Sequence, residues 1–116
     1  MKNCYWTPLV LVIVMSLCTV AWADDFLADR HGEKGVSCAD CHDTDTPEKG
    51  TFVAMDKCLA CHGPYEDLAV KTDQLGKKNP HNSHVGNLDC TVCHYGHAPS
   101  VLYCTKCHTG LGLVTP

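Results

Sequence analysis

The sequence is poor in the large side chains that fill an ordinary protein core. Only 7% of its residues are aromatic, and from residue 24 onward these are Phe26, Phe52, Tyr65, Tyr95 and Tyr103. A chain of 116 residues has room for one small domain. Because a domain of this size buries too little surface to be robust unaided, something other than side chains must fill its centre.

Basic residues are also few. Residues 24–116 carry eight basic and 13 acidic side chains, and Lys77-Lys78 is the only adjacent basic pair. A nucleic-acid-binding surface needs a cluster of lysine or arginine. The charge pattern therefore excludes nucleic acid as a partner.

A long hydrophobic run is missing as well. The longest apolar stretch, residues 9–21, is too short for a comfortable membrane span, which makes a bilayer anchor the weaker interpretation. It follows Lys2 and leads into Ala21-Trp22-Ala23, a small-x-small pattern typical of signal-peptide cleavage. The sequence predicts a signal peptide over residues 1–23 and a periplasmic domain over residues 24–116, without a membrane span in the mature chain.

Cysteine and histidine, by contrast, are abundant. Beyond residue 23, eight cysteines form four copies of Cys-x-x-Cys-His, the attachment motif of c-type haem. Two thiols three positions apart reach the two vinyl groups of one porphyrin, and the next histidine falls beneath the iron as proximal ligand. The predicted attachment residues are Cys38, Cys41, Cys58, Cys61, Cys90, Cys93, Cys104 and Cys107, and the predicted proximal ligands are His42, His62, His94 and His108.

Three other interpretations of these cysteines compete with haem. Sixteen residues separate Cys41 from Cys58, which fits a zinc ribbon. Disulfides suit an exported protein. Neither explains a histidine after every second cysteine, and a thioredoxin-like redox pair would need a βαβ context that this sequence lacks.

The other histidines match the number of motifs. Removing the four motif histidines leaves four, and we expect these to be the distal iron ligands: His31, His81, His84 and His97. Met55, the only methionine beyond the signal peptide, is then expected to pack rather than to bind iron. Two axial histidines leave no open site on the iron and lower its potential, so the pattern predicts four low-potential haems that carry electrons.

The expected fold is mostly α with extensive loop, a small multihaem domain whose core is four haems, with no significant sheet. The helix signals are strongest from Tyr65 to Leu75, where Gly63-Pro64 precedes and Gly76 follows. Phe26 to His31 and Ala54 to His62 are further helix candidates, and Asp43 to Gly50 is predicted to be loop.

At this point the sequence resembles a known group, the small tetrahaem cytochromes c and the N-terminal haem domain of the periplasmic flavocytochrome c fumarate reductases of Shewanella. The similarity is carried by Asn79-Pro-His81-Asn-Ser-His84, by Cys90-Thr-Val-Cys93-His94-Tyr-Gly-His97, and by Val101-Leu-Tyr103-Cys104-Thr-Lys-Cys107-His108. His31, seven residues before Cys38, fits the first distal ligand of that group. The resemblance implies bis-histidine haems that form a conducting chain.

The resemblance also implies partners. In the flavocytochromes the haem domain continues into a flavin domain, whereas this sequence ends at Pro116. The expected function is therefore the cytochrome subunit of a reductase whose flavoprotein is a separate chain, fed by a membrane quinol-oxidising cytochrome. The alternatives are a free periplasmic shuttle serving several acceptors, and an enzyme that reduces a small molecule at a haem, which the histidine count opposes.

The first testable prediction is cleavage after Ala23. The mature protein purified from the periplasm should begin at Asp24, because the small-x-small pattern ends there. N-terminal sequencing and intact mass measure this directly. A mature chain that retains a lipidated Cys18 would contradict it, although Leu17 stands where a lipoprotein signal needs a small residue.

Overall fold

The computed structural model describes residues 25–116, and the predicted signal peptide lies outside them. Helices and loops make up the described residues, and no strand occurs among them. The expected fold class, mostly α with extensive loop and without sheet, is confirmed.

Four short α-helices succeed one another along the chain. They are α1 (Leu27–Gly32), α2 (Cys38–His42), α3 (Met55–His62) and α4 (Tyr65–Lys71). The helices predicted over Phe26–His31 and Ala54–His62 are confirmed to within one residue, and the predicted loop after α2 is free of regular structure. Four 3-10 segments follow α4: Asp73–Lys78, Pro80–Asn82, Cys90–Val92 and Tyr103–Lys106.

Acidic side chains in the first turn of α1 and of α2 accept hydrogen bonds from the residue that precedes each helix. The backbone N–H of Phe26 donates to the Asp29 carboxylate at 3.1 Å, and Ser37 donates to Asp40 through both its N–H, at 2.7 Å, and its hydroxyl, at 2.8 Å. These bonds satisfy N-terminal amides that a short helix leaves unpaired. These bonds fold the first Cys-x-x-Cys-His motif into the single turn of α2. Asp43 caps the end of this helix, and its backbone lies in the left-handed region at φ 59°.

The helix predicted from Tyr65 to Leu75 is wrong in its second half. The α-helix ends at Lys71, and a 3-10 segment follows that is interrupted at Gly76 (φ 56°, ψ −128°). The break is at Thr72, whose hydroxyl lies 2.7 Å from the Leu68 carbonyl, an oxygen that also accepts from the backbone N–H of Thr72. Pro64 is the extended residue that precedes the helix.

A chain of neighbouring contacts connects the motifs. Helix α2 packs against α3, α3 packs against Cys90–Val92, and α4 packs against Pro80–Asn82. An ion pair between Lys57 and Asp43 joins α3 to the loop after α2. The first three motifs are therefore connected by contacts between short helical segments.

Side chains do not form a conventional core. Within residues 25–116 only Tyr65, 8% exposed, and Asn79, 5% exposed, are buried. Both lie near His81 rather than at a common centre. The expectation that side chains alone do not fill this domain is confirmed.

The second testable prediction concerns the chain without haem. Made in cells that lack cytochrome c maturation, it should be largely unfolded, because so little buried side-chain surface cannot offset the entropy of ordering the backbone. Circular dichroism and amide hydrogen exchange, with the haem-loaded protein as control, measure this. A haem-free chain with native-like helix content and slow exchange would contradict it.

Candidate functional site

The eight histidines lie in four facing pairs. Each pair joins one motif histidine to one of the four histidines outside the motifs. The ring centroids are 6.3 Å apart for His42–His97, 6.0 Å for His31–His62, 6.4 Å for His81–His94 and 5.9 Å for His84–His108. No two motif histidines face each other in these pairs.

This spacing fits two imidazoles on opposite sides of one metal ion. A ring nitrogen lies about 2 Å from a bound metal, and the ring centre is roughly 1 Å farther out, so two axial rings stand about 6 Å apart. Rings at that distance leave a gap between them in which a flat ligand would fit. The described residues thus suit a porphyrin iron with a histidine on either face.

A cavity accompanies the first pair. It has a volume of about 430 Å³ and is lined by His42, His97, Ala98 and the loop over residues 47–51. The two rings are nearly parallel, with 16° between their planes. The buried Nδ1 atom of His42 has no hydrogen-bond partner.

Helix α1 positions His31. Its Nδ1 atom is 2.7 Å from the carbonyl oxygen of Leu27, one turn earlier in the same helix. Because a carbonyl only accepts, Nδ1 must carry the proton, and the Nε2 lone pair is left for a metal. Helix α1 is itself tied to the segment before His97 by the N–H of Ala28, which donates to Gly96 at 2.8 Å.

His81 is held by three neighbouring residues. The Tyr65 ring meets it edge to face at a centroid distance of 5.7 Å, and the Thr72 hydroxyl is 3.1 Å from its Nδ1. Its backbone N–H donates to the Asn79 side chain at 3.0 Å. Burial, and then the neighbouring His94, lower the pKa of His81, which favours the neutral imidazole that binds metals.

The cysteines take none of the competing arrangements. All eight in the described residues are free of disulfides. No group of three or more histidine, cysteine or acidic side chains in this part of the chain is gathered to hold a metal ion. Burial raises the pKa of Cys41, and raises that of Cys58 to about 11.

Comparison with known proteins identifies the family. The family model for cytochrome c3 matches residues 30–109, which contain all four motifs. The chain belongs to the cytochrome c3 family. It therefore binds haem c and transfers electrons, and the resemblance to multihaem cytochromes is confirmed.

Two relatives are similar over most of the chain. A probable fumarate reductase of Shewanella frigidimarina is 34% identical, over 94% of this chain and 18% of its own length. A c-type cytochrome protein of Eggerthella lenta is 29% identical, over 78% of this chain and 55% of its own length. This cytochrome thus spans about a fifth of the length of the first relative and about half of the length of the second.

Several expectations of the sequence are answered together. The cytochrome is an electron-transfer protein rather than an enzyme, and the relatives support a role in anaerobic respiration. None of the helices in residues 25–116 is long and apolar enough to cross a membrane. Met55 is in none of the ring pairs.

Three residues that contact His81 were not predicted from the sequence to be part of its site: Tyr65, Thr72 and Asn79. Asn79-Pro80 before His81 was a usable signal, since asparagine commonly caps a turn that begins with proline. Its side chain indeed accepts from His81 at the start of the 3-10 turn. No local pattern marks Thr72 or Tyr65. The helix predicted from Tyr65 to Leu75 runs past Thr72 and puts both residues on one apolar face.

Proposed function

We propose that this cytochrome is a periplasmic four-haem relay that passes electrons to a separate flavoprotein reductase acting on fumarate or a related unsaturated acid. The observation that carries the proposal is the set of four facing histidine pairs, one for each Cys-x-x-Cys-His motif. Export rests on the predicted signal peptide over residues 1–23, which leaves residues 24–116 as the mature cytochrome.

Each haem is assigned one motif and one distal histidine. The motif cysteines attach it, the motif histidine holds one face of the iron, and the facing histidine holds the other. The assignments are His42 with His97, His62 with His31, His94 with His81, and His108 with His84. When bound, haem supplies one-electron transfer.

Filled axial positions suit transport rather than catalysis. An iron with two histidines has no open position for oxygen or an organic acid. Reduction of an unsaturated acid also requires hydride chemistry, which such a haem does not offer and a flavin does. The protein's own contribution is to hold eight neutral imidazoles and to bring the four sites close together.

The contacts between the motifs support a linear order. The first and second sites meet where α2 packs on α3, and the second and third meet where α3 packs on Cys90–Val92. The third and fourth are joined by His81 and His84, three residues apart in one short segment, which face different motif histidines.

Charge divides along this order. Residues 25–48, which include the first motif and the distal histidine assigned to the second site, hold seven acidic side chains and two basic ones, whereas residues 49–116 hold five acidic and six basic ones. Such asymmetry steers charged partners during encounter. We assign the docking of the flavoprotein, through a basic face, to the acidic end, and the approach of a membrane quinol-oxidising cytochrome to the other end.

The flavoprotein partner is favoured over a free shuttle by one observation. The relative named probable fumarate reductase aligns with 94% of this chain, yet this chain spans only 18% of that protein. In this proposal a separate reductase chain takes the place of the remainder of that relative. A free shuttle serving several acceptors is the second candidate, favoured by the relative named only as a c-type cytochrome protein.

The third testable prediction is that His81→Ala and His84→Ala each open a different iron. Each variant should show about one quarter high-spin haem, and the double variant about one half, because each histidine is assigned one of four irons. Haem should stay attached at four per chain, since all eight cysteines remain. Magnetic circular dichroism and a pyridine haemochrome assay measure both quantities.

A matched control is Met55→Leu, which removes a potential ligand that the proposal leaves unused. It should stay wholly low-spin. A wholly low-spin His81→Ala or His84→Ala would remove that histidine from the ligand set. Equal spectra of the double and single variants would show that both act on one iron.

The fourth testable prediction is that the reduced cytochrome is reoxidised by the matching flavoprotein only when the acid substrate is present. The cytochrome alone should reduce no organic acid. Because the proposed interface is acidic on one side and basic on the other, the rate should fall as salt is raised. Stopped-flow absorbance of the haem measures it, and substrate-dependent turnover without any flavin would overturn the relay.

Variants locate the interface. Asp45→Asn combined with Glu48→Gln removes two exposed charges near the first site without touching the ion pair of Asp43. It should slow reoxidation more than Glu66→Gln, an exposed charge on α4. Equal effects of these variants would contradict docking at the acidic end.

A further inference from the structure

We infer that Thr72 is a positioning residue that fixes the ring of His81 through Nδ1 and thereby lowers the potential of the haem held by His81 and His94. The inference rests on the proposed ligation of iron by His81. It adds a role for a residue that lies outside all motifs and contacts no cysteine of them.

The Thr72 hydroxyl lies among three polar atoms. Its Oγ1 is 3.1 Å from the Nδ1 of His81, 2.7 Å from the carbonyl oxygen of Leu68 and 2.8 Å from the side-chain oxygen of Asn79. Two of these three are oxygens that only accept. The single hydroxyl proton is directed to one of those oxygens, and a lone pair of Oγ1 is left facing His81.

The orientation of the Asn79 amide is fixed independently. Its oxygen accepts from the backbone N–H of His81 at 3.0 Å, a group that only donates. Its nitrogen donates to the carbonyl of Ala69 at 2.8 Å. The atom that Asn79 offers to Thr72 is therefore an acceptor, and Thr72 must donate to it or to Leu68.

A defined tautomer of His81 follows. Since Thr72 accepts at the contact with Nδ1, that nitrogen carries the proton and donates. The Nε2 atom then keeps its lone pair for the iron proposed between His81 and His94, whose ring centroids are 6.4 Å apart with 3° between the ring planes. Thr72 thus selects the tautomer that ligation requires.

Burial strengthens the arrangement. Asn79 and Tyr65 are the two buried side chains of the described residues, and both contact His81. Water does not compete well for a hydrogen bond in such surroundings. The ring is therefore held by packing on Tyr65 and by a neutral acceptor at Nδ1.

An acceptor at Nδ1 changes the iron as well as the ring. A ligating histidine that donates its other N–H becomes more basic, and a more basic ligand favours the ferric over the ferrous state. His31 obtains the same support from the backbone carbonyl of Leu27, which no substitution removes. At His81 a side chain supplies the acceptor, so its effect is open to mutation.

The deciding variant is Thr72→Val, which keeps the branched shape and removes the acceptor. All four haems should remain attached and low-spin, while one of the four midpoint potentials becomes more positive. In the reduced protein, exchange of the Nδ1 proton of His81, followed by ¹⁵N NMR, should be about fivefold faster, as expected for the loss of one hydrogen bond. Thr72→Ser should restore both values.

Thr44→Val is the matched control. The Thr44 hydroxyl lies in the loop after α2, outside every haem motif, and accepts from the backbone N–H of Thr46 at 3.3 Å without a histidine among its hydrogen-bond partners. It should leave the His81 proton exchange unchanged. If Thr72→Val does not accumulate, Thr72→Ala compared with Thr72→Ser makes the same comparison.

Two outcomes overturn the inference. One is a Thr72→Val protein with the potentials and proton exchange of the wild type. The other is a change that Thr72→Ser does not reverse, which would assign the effect to packing. Failure of the proposed ligation has a separate signature, a wholly low-spin His81→Ala, so the two hypotheses are distinguished.

Discussion

The rest of this structure depends on one constraint, which is that pairs of imidazoles face each other with their ring centroids about 6 Å apart. Only two side chains of the described residues are buried, so contacts between side chains contribute little to this domain. A domain of this kind is organised around what lies between the rings. Haem c, bound through the family's attachment motif, supplies the apolar surface that the side chains lack.

The short helices serve this constraint. Helices α1, α2 and α3 each carry one histidine, and none of the three has a buried residue. Helix α1 fixes His31 through its own backbone, and the end of α4 fixes His81 through Thr72. The early end of α4 is therefore part of the site, since a helix continued past Thr72 would take its hydroxyl away from His81.

Charge and order give the proposed relay a direction. The acidic residues gather in residues 25–48, which contribute ligands to the first and second sites, and the rest of the chain carries a near balance of charges. A partner with a basic face would be steered to one end of the haem series and a different partner to the other. In the proposed relay each iron would be held between two histidines, which suits transport rather than catalysis.

The sequence by itself determined the haem motifs, the family and the helical fold class, because Cys-x-x-Cys-His is a local pattern whose spacing has one good chemical explanation. It also predicted α1 and α3 closely, where local signals agree. It did not determine which distal histidine faces which motif, since His42 meets His97 and His62 meets His31 only through contacts between distant parts of the chain. The end of α4 was likewise decided by tertiary structure. The Thr72 hydroxyl lies within hydrogen-bond distance of Leu68, Asn79 and His81, and Asn79 and His81 lie beyond the helix.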